Sequence, residues 1–515
     1  MLERKSFDLQ QSVQRCRAYA SPLRKVPAEI WIEIFSEYIQ VDGSLWMSWD
    51  FDEIRVWSSA LPLSQTCSFW RAIALSAPKL WSSLSLDLSG DKHGLGDLVQ
   101  LHLRRSDPSP LMLDMYSLRG APSTRGWAIF WNLVNTSRSR WLSVKMDIPW
   151  EPSGCNISPQ KDVRNQFQFD ILRELEVSED FDLNDSGNPP YHELAYMMIK
   201  GSPLLRLLKV QGLYKTLAHS FVNLNEIHLK LIGMQELVDC FTLCPQLCKA
   251  TLFSFYLPYE DRPLFPLPTK ITHHKLSCLE LEFIEPDEAT AILSSLVLPS
   301  LITLNVKFDL QSFFERNDDP ELEYLRLSSV FVAMESLKTM VTQSSCPLEE
   351  LELGAGFIAC GQGASDRALI ELFALTPKLT RLRIDAQRYS TFSDKFFQSL
   401  TFSAPSVTAQ KDLLPLLKVL HLRIVDVPQF HGEGPLPDPD LIFTMVNSRR
   451  VKGCTAQLKM FHFSIQVDPH VTPRADEWVQ FFTTITEPRL RDLEADGLGL
   501  SLRVVSKECR AVDWL

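Results

Sequence analysis

The feature that most constrains this chain is a short pattern, apolar-x-x-apolar-x-apolar, that recurs about a dozen times from near Trp81 onward and is often preceded by proline. The clearest copies are 203–210, 224–229, 245–252, 276–281, 299–306, 320–327, 347–353, 377–384 and 415–422. Weaker copies are 172–177, 458–463 and 490–495. Each is the length of one short strand. Successive copies lie roughly 19 to 41 residues apart, which leaves room for a helix, such as 287–296 or 366–375, after the strand. One strand and one helix cannot bury their apolar faces alone, whereas stacked copies share a continuous core and a parallel sheet. The expected class is therefore α/β.

The arrangement resembles leucine-rich repeats, and its uneven period implies a distorted solenoid. The segments 179–190, 258–270 and 428–439 fall between copies as insertions. In each copy the residue between the last two apolar positions points away from the core, across the concave sheet face. That row reads Lys209, His228, Thr251, Glu280, Asn305, Arg326, Glu352, Arg383, His421 and His462. It is polar, mixed in sign, and the expected partner-binding face. Arg326 and Arg383, with Lys378 and Arg423 nearby in the pattern, suit a carboxylate or a phosphorylated segment. Glu352 between them points to a partner of mixed charge.

Composition narrows the classes. The chain has 515 residues, 45% apolar and 22% charged, too long for a single compact core and too apolar to be mostly disordered. A net charge of −11 gives little attraction to phosphate backbones or anionic membranes, so neither nucleic acid nor membrane is an expected partner. Its longest apolar runs, such as 128–131, are far short of the roughly 20 residues that cross a bilayer. Met1 to Lys5 leads into no secretory-type apolar stretch, and the 11 cysteines are scattered. They read as reduced thiols in the cytosol or nucleus.

The first residues form a different region. Leu9, Val13, Cys16 and Ala20 have helical spacing and predict a short amphipathic helix packed on its own domain. Pro27 can start a helix with Ile30, Ile34 and Phe35 along one side and Glu29 and Glu33 in water. Leu63, Cys67, Trp70, Ile73 and Ala74 then space a second helix over 61–75, ended by Ala77-Pro78. Three elements stand in order: Pro-x-Glu-Ile-x-x-Glu-Ile-Phe (27–35), Cys-x-x-Trp-Arg-x-Ile-Ala (67–74) and Pro-x-Leu-Trp (78–81). Together they resemble the F-box in the form common in fungal proteins. Val26 stands where that family usually has leucine, and the segment 36–60 is longer than the usual connection.

Other constellations invite chemistry. Leu351-Glu352-Leu353-Gly354-Ala355-Gly356, with Cys360-Gly361-Gln362-Gly363 and Asp385 beyond, is similar to the first motif of S-adenosylmethionine-dependent methyltransferases, although Leu348, Leu351 and Leu353 also continue the repeat. A glycine-rich turn is the expected reading. Cys240, Cys244 and Cys248 are four apart, a spacing that could present thiolates to a metal, but Pro245 interrupts it, and core thiols are expected. His273-His274, the acidic 179–182 and the basic Arg449-Arg450-Val451-Lys452 read as exposed loops. No spacing singles out catalytic residues.

The expected domains are an N-terminal helix (1–22), an F-box helical bundle with a long insertion (23–85), degenerate first repeats and linker (86–170), and the repeat solenoid (171–515). The F-box resemblance implies a substrate-recognition subunit of a Skp-cullin-F-box ubiquitin ligase. Pro27, Ile30, Ile34 and Phe35 would dock on the Skp-type adaptor, and through it a cullin. Trp70 and Ile73 would hold the bundle, and the solenoid would hold an unidentified protein client. No cofactor and no metal are expected, and catalysis would lie in other subunits. A repeat-based scaffold acting without ubiquitylation and a methyltransferase are the alternative readings.

Overall fold

The computed structural model describes residues 4–7, 9–13, 25–42, 60–89, 94–117, 122–148, 168–178, 197–210, 221–230, 234–253, 270–283, 286–308, 320–354, 364–386, 392–402, 412–425, 438–450, 456–467, 493–494, 497–506 and 512–513. They fall into two compact units, Met1–Gln211 and Gly212–Leu515. The division lies inside the stretch from residue 171 that the repeat pattern reads as one array.

In the first unit, residues 4–7 and 9–13 are helical, but Phe7, Leu9 and Val13 are exposed. The stripe expected to pack on its own domain therefore faces outward. Pro27 precedes α1 (Ala28–Asp42), where a missing N–H costs no helical bond, and its carbonyl accepts from Trp31 N–H at 3.3 Å. The expected single helix over 61–75 is two, α2 (Ala60–Thr66) and α3 (Ser68–Ser76). Cys67 breaks it: its backbone is extended, and its Sγ caps α3 by accepting from Trp70 N–H. A 3-10 turn, Pro78–Trp81, closes the bundle, and the buried Trp81 ring donates from Nε1 to Ala74 O at 2.7 Å. Trp31, Phe35 and Trp70 pack ring on ring at 5.0 to 5.6 Å, with Leu63, Ile73 and Leu80 completing the core. Burial of each such side chain contributes about 1.5–3 kcal/mol, so this small bundle depends on a few of them.

Five strands follow in the same unit: β1 (Ser83–Asp87), β2 (Leu111–Tyr116), β3 (Trp141–Asp147), β4 (Glu174–Ser178) and β5 (Leu207–Val210). They pair in parallel, in chain order. The helices α4 (Leu95–Arg105) and α5 (Thr124–Ser137) connect the first three. Gly126 lets α5 lie against the chain after β1, because a Cβ there would stand 2.2 Å from Leu88 O. Buried His102 on α4 stacks edge-on against Trp81 and donates from Nδ1 to Trp81 O at 3.2 Å, tying the helical bundle to the sheet.

In the second unit, besides a short separate parallel pair of Ile271–Thr272 with Leu296–Val297, the sheet strands are β6 (Glu226–Lys230), β7 (Lys249–Phe253), β8 (Cys278–Phe283), β9 (Thr303–Phe308), β10 (Glu350–Leu353), β11 (Arg381–Ala386), β12 (Val419–Val425), β13 (Met460–Val467) and β14 (Gly499–Ser506). Again all are parallel and in chain order, and β15 (Val512–Asp513) pairs antiparallel with β14. Between them run α6 (Met234–Leu243), α7 (Pro286–Ser295), α8 (Pro320–Ser344), α9 (Ala364–Leu375), α10 (Asp394–Leu400) and α11 (Pro439–Ser448). Along the strands, buried leucine, valine, isoleucine and phenylalanine alternate with half-exposed polar residues. One face is thus the core and the other meets solvent.

A recurring turn explains the prolines. Before seven strands a residue accepts, through its carbonyl, the N–H of a buried leucine three positions on: Phe169 from Leu172, Phe221 from Leu224 and, with proline between, Ser202 from Leu205, Cys244 from Leu247, Leu298 from Leu301, Thr376 from Leu379 and Leu414 from Leu417. Pro203, Pro245, Pro299, Pro377 and Pro415 occupy the second position, where a fixed φ suits the turn. Each strand is then seated on its predecessor by one carbonyl that accepts two N–H groups. Asn225 O takes Cys248 and Lys249, Thr380 O takes Lys418 and Val419, and Lys418 O takes Lys459 and Met460, all at 2.8 to 3.1 Å.

Several expectations are corrected here. The copy at 320–327 is the start of the 25-residue helix α8, so Arg326 is not on the sheet. Leu322, Leu325 and Leu327 fit a strand equally well, but buried Ala333, Met334, Leu337, Met340 and Val341 continue them at helical spacing. The copy at 490–495 also fails, because the strand lies later, at β14. His273 lies in a loop, as expected, but is buried rather than exposed, unlike His274: its Nδ1 accepts from Leu276 N–H at 3.1 Å, and Nε2 donates to Cys244 O at 3.1 Å. Arg449, read as an exposed basic residue, is 3% exposed and donates to Leu400, Leu413 and Leu414 carbonyls at 2.7 to 2.8 Å.

Candidate interaction surfaces

The helix α1 has two apolar sides. Trp31 and Phe35 face the bundle core, while Ile30 (51% exposed) and Ile34 (48% exposed) lie four apart on the outer face, followed by exposed Tyr38. Pro27 is exposed beside them. Phe35 is therefore corrected from a docking residue to a core residue: at 1% exposure it packs against Trp70, and no partner can reach it. Glu29, Glu33 and Glu37 edge the exposed isoleucines. The segment 43–59, within the expected insertion, lies outside the described residues, as does the acidic 179–182.

On the sheet, pairing register brings the predicted row together. In the second unit His228, Thr251, Glu280, Asn305, Glu352, Arg383, His421 and His462 occupy one line, each opposite the next on the neighbouring strand, and Ser501 ends it. Lys209 belongs to the equivalent line of the first unit, opposite Glu176, which is opposite Lys145. Apart from Arg423, which the pattern placed near the row, the sequence reading missed the flanking lines two residues to either side, of which Arg381, Val419 and Met460 form one and Asp385, Arg423 and Ser464 the other. The period of two along each strand carries that signal.

Ion pairs connect these lines. Glu226 accepts from Lys249 Nζ at 2.6 Å and pairs with His228 at 2.8 Å, and these partners hold its carboxyl below the usual range against the opposing effect of burial. Lys307 bridges Glu280 (3.5 Å) and Glu282 (3.0 Å). In the first unit Glu176 joins Lys145 (3.2 Å) and Lys209 (3.5 Å). Arg383 donates to both oxygens of Asp385 at 3.2 Å and lies 3.4 Å from Glu352, and Arg423 reaches Asp385 at 3.7 Å. Burial pushes the Glu352 carboxyl up despite Arg383. The His421 and His462 rings stack at 5.2 Å, and burial followed by the charge of Arg383 lowers the His421 pKa. Apart from those of the buried Asp385, these pairs are half-exposed and contribute about 0–1 kcal/mol each, so an incoming partner can exchange them cheaply.

The constellations that suggested chemistry have structural roles where they are described. Gly354 is needed for close approach, since a Cβ there would stand 2.3 Å from Lys307 Cβ, and its N–H donates to Val306 O at 2.7 Å. Residues 355–363 lie outside the described residues. Asp385 is engaged by two guanidinium groups. Cys240 and Cys244 are buried and Cys248 is exposed, and among the described residues no cluster of His, Cys, Asp and Glu has the makings of a metal site. No helix among the described residues is long and apolar enough to cross a membrane. No protein-family model and no curated protein matches the chain.

Proposed function

We propose that this chain is the substrate-recognition subunit of a Skp-cullin-F-box ubiquitin ligase. The outer face of α1 docks on a Skp-type adaptor, the stacked strand–helix units form a leucine-rich-repeat-like array, and their polar sheet face holds the protein client. Catalysis belongs to other subunits. The observation that carries the reading is the two-sided helix α1. Its inner side is buried on aromatic rings, yet Ile30 and Ile34 stand in solvent at a cost that only a covering partner recovers. The motifs at 27–35, 67–74 and 78–81 supply the components of that one bundle.

Co-expression with a Skp-type adaptor, followed by size-exclusion chromatography with light scattering, is expected to give a one-to-one complex. Ile30→Ala with Ile34→Ala should abolish it. A chain that stays monomeric beside the adaptor would overturn the assignment, and a complex that never joins a cullin would leave a scaffold in its place.

A further inference from the structure

The second unit's sheet face is unevenly charged. On β8 to β10 and their first residues stand Glu280, Glu282, Glu349, Glu350 and Glu352, against Lys307. At β11 the sign reverses. Arg381, Arg383 and Arg423 stand there with exposed Lys418 and Lys459 at the starts of β12 and β13, and the only acid on β11 to β13 among the described residues is Asp385, held by Arg383 and Arg423, while Arg381 and Arg383 also reach back to Glu350 and Glu352 on β10 at 3.4 Å. This basic island sits on a chain of net charge −11. Inside it are the stacked rings of His421 and His462, half-buried Val419 and Met460, which is 43% exposed.

The island is ordered along the strands as well as across them. Val419 and Met460 stand opposite each other in one line, His421 and His462 two residues on, and Arg423 and Ser464 two beyond that. Lines two residues apart are separated by about 6.6 Å, the spacing of alternate side chains in any extended chain. An apolar side chain over Val419 and Met460 thus places the second residue after it over the histidines and Arg383, and the fourth over Arg423. Exposed apolar surface beside the arginines favours a protein over a phosphate backbone, whose affinity would rest on charge that the chain as a whole opposes.

We propose that the face of β11 to β13 docks an extended protein segment of the pattern apolar-x-acidic-x-acidic. The apolar side chain covers Met460 and Val419, one carboxylate takes the place of Glu352 on Arg383, and the other reaches the exposed side of Arg423, with buried Asp385 left between the two guanidinium groups. The inference rests on the reading of the sheet face as the client-holding surface and specifies the client's chemistry.

The test is fluorescence anisotropy of the full chain with labelled peptides of about nine residues, long enough to follow the strands. The probe has leucine followed at the second and fourth positions by glutamate. The controls replace the glutamates by lysine, or the peptide by a single-stranded RNA oligomer. The glutamate peptide is expected to bind, to weaken with salt, and to lose at least tenfold in affinity with Arg423→Glu plus Lys459→Glu, and again with Met460→Asp. Glu226→Gln, at the far end of the sheet, should leave it unchanged. Circular dichroism and the thermal midpoint check that each variant is folded. Equal binding of the lysine peptide, preference for RNA, or indifference to the β12 and β13 substitutions overturns the proposal. Adaptor capture by α1, measured in parallel, separates the two readings. Retained capture with no peptide binding sinks only this one, and peptide binding without capture sinks only the ligase assignment.

Discussion

Single residues fix this structure at points that its patterns do not reach. His102 and His273 are buried, and burial is the largest cause that lowers both below the ordinary value of 6.5. The unfolded chain therefore binds more protons between the two values, so stability is fully present above about pH 6.5 and is lost as pH falls toward the folded pKa. Thermal midpoints measured from pH 7.5 down to 5.5 should fall, and less steeply in His102→Asn than in the native chain. Arg449→Met should cost about 3 kcal/mol, read as a lowered urea midpoint, because it removes a charge-assisted hydrogen bond from each of three carbonyls, of which Leu414 O keeps only the Leu417 N–H. None of these three burials was legible in the sequence. Arg449 finds its partners 35 to 49 positions away, and no local spacing reports such a pairing. The turn prolines were legible, because fixed φ acts within four residues.

At the scale of elements, alternation revealed most strands of the second unit, since polar and apolar residues take opposite faces there. It failed where one pattern fits two periods. Leu322-x-x-Leu325-x-Leu327 became the first turns of α8, and the helical spacing that settles it begins only beyond those residues. The strands β1 to β3 were expected only as degenerate repeats. Close packing also went unseen, because a glycine in sequence does not say what lies above it. Gly126→Ala should cost about 1–3 kcal/mol, since backbone rather than a movable side chain blocks the new methyl group. A chemical melt that monitors tryptophan fluorescence, with Trp127 beside the site, would measure it; an unchanged midpoint would mean that α5 can shift.

For the whole molecule, the two candidate surfaces lie on separate structural devices, a helix face and a sheet face. Substitutions of exposed residues on one should add to those on the other without coupling. Ile30→Ala with Ile34→Ala should leave the thermal midpoint nearly unchanged, whereas Trp31→Ala should lower bundle stability by about 3–5 kcal/mol. Differential scanning calorimetry of the two variants makes the comparison. The site was half visible beforehand. The row from His228 to His462 follows from the repeats, but Arg326 dropped out and Phe35 turned inward, because each position's facing depends on packing that a motif does not contain.

The paired N–H groups at the start of each strand carry a consequence for how the chain tolerates change. Every strand of the second unit from β7 to β13 is aligned on its predecessor by a carbonyl at its beginning, before the side chains of the row are reached. Alignment is therefore finished before the connecting segment to the next strand starts, and the length of that segment cannot alter it. Row residues 23 apart, His228 and Thr251, and 41 apart, His421 and His462, stand in the same line for this reason. Extra glycine and serine residues spliced in after β11 or β12 should leave the order of His421 and His462 intact. The connections are free to lengthen, shorten and diversify while the surface they carry keeps its grid.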